Sequence, residues 1–189
     1  AAEVDALVAG TVEQLGRLDV MVNNVGQSAP GWLKDSTDEE WRRVLDLTLS
    51  STFYGLRAAL RAMLPQRSGS IINVASIGAL GGNTPDIKTI AYNTSKGAVL
   101  NFTRALATEW GAHGIRVNAL CPGFFPRRMT RGTLQNLGAE TLAAKAPLGR
   151  LGDDEDLKGT AVLFASDAGK HITGQWLAID GGVSVVIGS

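Results

Sequence analysis

The chain has 189 residues, 44% of them apolar, which is enough for one domain with a substantial core. Its 18 Lys and Arg balance 18 Asp and Glu, so no charge excess marks a nucleic-acid or anionic-membrane surface. A single cysteine, Cys121, excludes an intramolecular disulfide framework, and no apolar run nears the roughly 18–20 residues of a membrane span, so a soluble cytoplasmic protein is expected.

In chain order, helix-like and strand-like segments alternate. Residues 4–15 carry helical periodicity, with Val4, Leu7, Val8, Val12 and Leu15 along one side and Gly16 as the stop. Residues 18–22 read as a short buried strand that breaks into Asn23-Asn24-Val25-Gly26. Thr37 and Glu40 have the spacing of a capping box, so a long helix is expected to about Leu64, closed by Pro65. Residues 70–75 form the next apolar strand, ending at Ser76, and the glycine-rich loop 78–89 leads into a helix over 91–110. Gly111 and Gly114 break that helix before a strand at 115–120, which Pro122-Gly123 terminates. Residues 124–146 hold two helical stretches, 129–137 and 139–146, among several glycines and read as a flap. A helix over 153–165 is expected with Asp153 as N-cap, then a last strand at 176–179 and the turn Asp180-Gly181-Gly182. Short apolar strands separated by helices of ten or more residues imply right-handed crossovers and an open α/β fold on a parallel sheet.

Tyr92 and Lys96 stand four residues apart at the start of the helix over 91–110, which puts both side chains on one face. An ammonium beside a phenol favours phenolate, so the tyrosine pKa is expected to fall toward a useful range for proton transfer. In open parallel sheets the ligand crevice lies at the carboxyl ends of the strands. Asn23 to Gly26, Ser76 and Pro122-Gly123 all follow strands directly, so four suggestive spots converge on one rim. Cys121 reads as a small core residue, and Asp180 as the holder of a turn. His113 and His171 read as a helix-end cation and a loop residue, so no catalytic metal is expected.

Six pieces in order resemble the short-chain dehydrogenase/reductase family: Asn23-Asn24-Val25-Gly26, Ser76 after Ile71-Ile72-Asn73-Val74-Ala75, Tyr92-x-x-x-Lys96, Arg116-Val117-Asn118-Ala119, Pro122-Gly123, and Thr173-Gly174-Gln175 through Asp180-Gly181-Gly182. Residues 121–130 and 170–186 look most like its 3-oxoacyl-carrier-protein reductase and gluconate dehydrogenase members. The resemblance implies a Rossmann-like doubly wound sheet and an NAD- or NADP-dependent oxidoreductase acting on a small carbonyl or alcohol, of 3-oxoacyl or sugar-acid type. The catalytic residues it implies are Ser76, Tyr92 and Lys96. Tyr92 would exchange a proton with the substrate oxygen, Ser76 would hydrogen-bond that oxygen, and Lys96 would lower the tyrosine pKa and bind the nicotinamide ribose. Asn23 and Gly26 would line the adenosine-ribose side, with Pro122 and Gly123 shaping the nicotinamide pocket. It further implies a homotetramer built on the helices over 37–64 and 91–110 and on the last strand.

The chain departs from the family pattern in places. Thr48 stands where the family has an asparagine that opens a helix and holds a water of the proton relay, which predicts slower turnover. Arg127 stands where a Thr or Ser meets the carboxamide, and the loop between Ser76 and Tyr92 is longer than usual. These departures motivate an alternative: a catalytically impaired dinucleotide-binding or scaffolding relative. The family's first β-α-β-α-β segment, with its glycine-rich phosphate turn, has no counterpart in the sequence. Residues 1–189 are therefore expected to be one dinucleotide-binding catalytic domain forming the C-terminal three quarters of a protein some 60–70 residues longer, by common domain size. The residue that chooses NAD or NADP would lie in that segment.

Overall fold

The computed structural model describes residues 1–187. Four strands, Val20–Asn23 (β1), Gly69–Val74 (β2), Ile115–Pro122 (β3) and Trp176–Ile179 (β4), pair in parallel in the order β1-β2-β3-β4. Met21 lies beside Ile71, Ile71 beside Val117, and Leu120 beside Leu177. Side-chain alternation sorts β2 to two faces. Ile71 packs with Val117, Ile115, Leu56, Met63 and Leu106, whereas Ile72 packs with Leu120 and Phe164. Helix Ala2–Leu15 (α1) lies on Ser51–Gln66 (α3), and α3 and Ile90–Trp110 (α4) cover the first face. Lys158–Ala165 (α7) covers the second, where Ser70 Oγ donates to Phe164 O at 2.7 Å. The fold is thus the layered α/β arrangement expected, with β4 observed at the residues expected for it.

Several boundaries differ for identifiable reasons. In α1, Val4, Val8 and Val12 face the core, but Leu7 and Leu15 are 66% and 74% exposed, so the apolar stripe is narrower than its periodicity implied. The capping box forms: Glu40 N donates to Thr37 Oγ1 and Thr37 N to Glu40 Oε2, opening Asp38–Leu45 (α2). The single long helix expected after it is instead α2, a π-helical segment Asp46–Ser50, and α3. Its end comes after Pro65, at Gln66, because Gln66 is pinned there. Gln66 Nε2 donates to Leu18 O at 2.9 Å and its Oε1 accepts from Leu18 N at 3.1 Å, before Arg67 reverses the chain at φ 50°.

The last α-helix starts at Lys158 and not at Asp153, more than a turn later than expected. Asp156 is held by Arg150 through contacts of 2.6 and 2.7 Å and also accepts from Asp153 N, which keeps residues 154–157 in turns. The flap contains two short helices, Arg131–Leu137 (α5) and Ala139–Ala144 (α6). Among the described residues strand β1 pairs only with β2 and is an edge, with Val22 50% exposed.

Candidate active site

The strand ends and the start of α4 meet at one cavity of about 710 Å³. Ser76, Tyr92, Lys96, Gly26, Pro122 and Gly123 line it, with Asn24 and the flap residues Arg127, Arg128 and Met129. The sequence-derived constellation is therefore assembled in space, apart from Asn23.

The beginning of α4 is fixed by a polar cluster from the preceding loop. Thr89 Oγ1 lies 2.9 Å from Asn93 Oδ1, and Asn83 Nδ2 donates to Thr89 Oγ1 at 2.7 Å. One helical turn separates Tyr92 from Lys96, whose Nζ sits 5.6 Å from the phenol ring centroid. That amine is 3% exposed at the residue level and donates to Val74 O, at the end of β2, at 2.6 Å. Ser76 follows β2 directly, and its Oγ accepts from Gly78 N at 3.1 Å, capping a short 3-10 turn over Ile77–Ala79. The strand thus sets both the height of Lys96 and the position of Ser76.

Burial dominates the electrostatics, and here the expected direction for the phenol is corrected. Tyr92 is raised above its ordinary value because burial disfavours phenolate, with the Ser76 side chain pulling the other way. Lys96 is lowered to about 8, again by burial, against a smaller opposing effect of Cys121. Burial penalises the charged form of each group, and for the phenol that penalty outweighs what a neighbouring ammonium supplies. Cys121, on β3 behind the site, is fully buried and its thiol is pushed up to about 11 by burial, which makes it an inert core thiol.

Two glycines keep close approaches open, one at a side-chain end and one at backbone. A Cβ at Gly26 would lie 3.3 Å from Lys96 Nζ, so glycine leaves open the space over the amine. A Cβ at Gly123 would fall 2.7 Å from Asp180 Cα, so β3 and the turn after β4 approach closely only with glycine there. Asp180 holds that turn, accepting from Gly182 N at 2.9 Å and Ser184 N at 2.7 Å. These features fit a nicotinamide dinucleotide at the strand ends: an open face over a buried amine, and a cavity whose far wall is Pro122 and Gly123.

Asn23 does not reach the cavity. Its side chain is buried and donates to Asn73 Oδ1 at 2.9 Å, Asn73 Nδ2 donates to Thr103 Oγ1 at 3.0 Å, and Thr103 donates to Val99 O. This chain of bonds ties β1, β2 and α4 together beneath the site, and Asn24 and Val25 line the cavity instead. Sequence reasoning missed Thr48 as a clamp. It sits fully buried in the π-helical segment, where its Oγ1 accepts from Gln27 N at 3.1 Å and lies 3.3 Å from Gln27 O. Thr52 Oγ1 donates to Thr48 O at 2.8 Å. Arg127 forms an ion pair with Asp154, and its N–H donates to Thr130 Oγ1. His113 lies against Trp110, with ring centroids 5.5 Å apart.

A family model described as enoyl-(acyl carrier protein) reductase matches residues 1–184. The chain is 38% identical over 182 residues to a 3-oxoacyl-[acyl-carrier-protein] reductase of Synechocystis sp., covering 96% of this chain and 71% of that protein. A gluconate 5-dehydrogenase from Burkholderia cenocepacia, solved with NADP and tartrate, superposes with a TM-score of 0.92 at 28% identity, covering 98% of this chain and 72% of that one. A short-chain type dehydrogenase/reductase from Mycobacterium marinum gives 0.90 at 34% identity, covering 95% and 70%. The chain belongs to the short-chain dehydrogenase/reductase family, whose members are NAD(P)-dependent oxidoreductases. No helix among the described residues is long and apolar enough to cross a membrane.

Proposed function

We propose that this protein interconverts a ketone and a secondary alcohol at the Ser76–Tyr92–Lys96 cavity, on a substrate of 3-oxoacyl or sugar-acid type, with residues 1–189 acting as one dinucleotide-binding catalytic domain. The observation that carries the reading is the convergence of these three side chains on one cavity of about 710 Å³, which Gly26, Pro122 and Gly123 also line. When bound, NAD or NADP supplies or takes up the hydride. In reduction, Tyr92 Oη gives its proton to the substrate oxygen as the carbonyl carbon gains hydride; in oxidation the same atom accepts it. The Ser76 hydroxyl donates to that oxygen and stabilises its developing charge. Lys96, fixed by Val74, would hold the ribose hydroxyls of a bound dinucleotide with its amine, and Pro122 and Gly123 would bound its nicotinamide. Asn23 acts from behind, by holding β1 to β2.

Tyr92→Phe tests the reading: turnover should fall at least about a hundredfold, the scale of general acid–base catalysis, with dinucleotide binding retained. A Tyr92→Phe variant as active as the parent would overturn it. A parent inactive on 3-oxoacyl thioesters and keto sugar acids, yet binding NADPH, would favour the alternative of an impaired dinucleotide-binding or scaffolding relative.

The cytoplasm is the proposed location, and a homotetramer the proposed assembly. Its support is the outer face of α3 and α4, where Phe53, 41% exposed, stacks on Phe102 at 6.3 Å with Arg57 over its ring. Leu56 and Leu60 of the same helix are buried in the core and contribute nothing to that face. A monomer in gel filtration at micromolar concentration would exclude the tetramer.

A further inference from the structure

The catalytic cavity continues into a second one of about 690 Å³, and the wall common to the two includes Gly26, Ser28, Arg128 and Met129. The charge of this extension is uneven. The flap over residues 124–146 carries Arg127, Arg128, Arg131 and Lys145 against Glu140 alone. Arg127 is neutralised by Asp154, whereas Arg128 has no acidic partner among the described residues. Lys88 lines the extension as well. It is held there by its position 4.4 Å over the Trp32 ring and by the bond from Gly31 N to its carbonyl at 3.0 Å. Asp86 is the one carboxylate on this lining, so the wall is net positive. Ser28, on the shared wall, has a buried hydroxyl with no hydrogen-bond partner among the described residues.

We propose that this extension is a carboxylate subsite, in which Arg128 and the Ser28 hydroxyl receive the acid group of a small keto acid or hydroxy acid whose carbonyl or alcohol carbon lies at Tyr92. The proposal rests on the oxidoreductase reading and names its substrate class. A guanidinium in a partly enclosed cavity forms charge-assisted hydrogen bonds that an ester of the same shape does not replace. Met129 and Leu47 on this lining supply apolar surface for the short carbon chain between the two ends.

The probes are 4-oxopentanoate and its methyl ester, assayed with NADPH and with NADH. The parent should prefer the acid by about tenfold or more in kcat/KM. Arg128→Gln should remove that preference through KM for the acid, with a smaller change for the ester, and Arg128→Lys should restore part of it. Equal use of acid and ester by the parent would overturn the proposal. So would an Arg128→Gln effect that falls equally on both, or one that raises KM for the dinucleotide. Ligand-observed NMR of 4-oxopentanoate reads the subsite without turnover. Arg128-dependent binding with no reduction of any ketone would sink the oxidoreductase reading and keep the subsite, whereas turnover without Arg128-dependent binding would do the reverse.

Discussion

Lys96 Nζ donates to the carbonyl of Val74 at 2.6 Å, so the last residue of β2 fixes the amine that lies against Tyr92. A flexible four-carbon side chain is thereby held by a rigid sheet, and its charge is set by burial. Ser76 follows two residues after that strand ends, so one short segment sets the position of two of the three proposed catalytic groups.

The low pKa of Lys96 predicts two pH effects. In reduction the ammonium form helps Tyr92 release its proton, so kcat/KM, which reports the free enzyme, should decline as pH rises through about 8. Tyr92 is displaced upward and so does not produce that limb. Lys96→Arg, permanently charged, should lack it at whatever residual rate it keeps. The folded chain loses this proton near 8 and the unfolded chain near 10.5, so between those values the unfolded state binds more protons. Stability from this group must therefore rise with pH across the window, by up to about 3 kcal/mol. Denaturant unfolding of the parent and of Lys96→Met should differ by that slope, since the opposing titration of the raised Cys121 thiol above about 9 falls on both. Equal slopes would mean the amine keeps an ordinary pKa.

The two site glycines should respond differently to alanine. At Gly26 the added methyl meets only the end of the Lys96 side chain, at 3.3 Å, but that end is anchored to Val74. Gly26→Ala should therefore fold with nearly parental stability and lose about tenfold or more in kcat/KM, on the scale that small misplacement of a reacting group produces. At Gly123 the methyl meets backbone, Asp180 Cα at 2.7 Å, which cannot yield without moving the turn after β4. Gly123→Ala should lose about 1–3 kcal/mol of stability, as overpacking does. Thermal melts and steady-state rates separate the cases, and an active Gly26→Ala enzyme would show that Lys96 is free to move.

What was legible in the sequence followed from local rules. The capping box at Thr37 and Glu40, β4 at residues 176–179, and the shared face of Tyr92 and Lys96 depend on spacing within one element, and each is observed. What was not legible depends on partners distant in sequence or on burial. The start of α7 is set by Arg150 gripping Asp156 across six residues. Asn23 turns inward because Asn73 offers an acceptor fifty residues away, across a strand pairing that no local pattern encodes. The phenol shift had its direction misread because the pair's spacing shows proximity and not desolvation.

Thr48 carries the last prediction. Its single hydroxyl meets both the N–H and the carbonyl of Gln27, next to Gly26, and its Cγ2 would lie 3.6 Å from a Cβ at Gly26. The helix opens into the π-helical segment at this residue, so the clamp forms with threonine in place. Thr48→Val keeps the shape and removes the hydroxyl, leaving the Gln27 N–H without its acceptor, which should lower stability by about 1–2 kcal/mol. If the clamp also sets the distance from Gly26 to Lys96, kcat/KM should fall by about tenfold, a loss of roughly 1.4 kcal/mol in transition-state stabilisation. Thr48→Ser keeps the hydroxyl and should recover most of both losses. A valine variant that is destabilised yet fully active would confine Thr48 to holding the loop. One that is neither destabilised nor slower would show that the Gln27 contacts contribute nothing to the site.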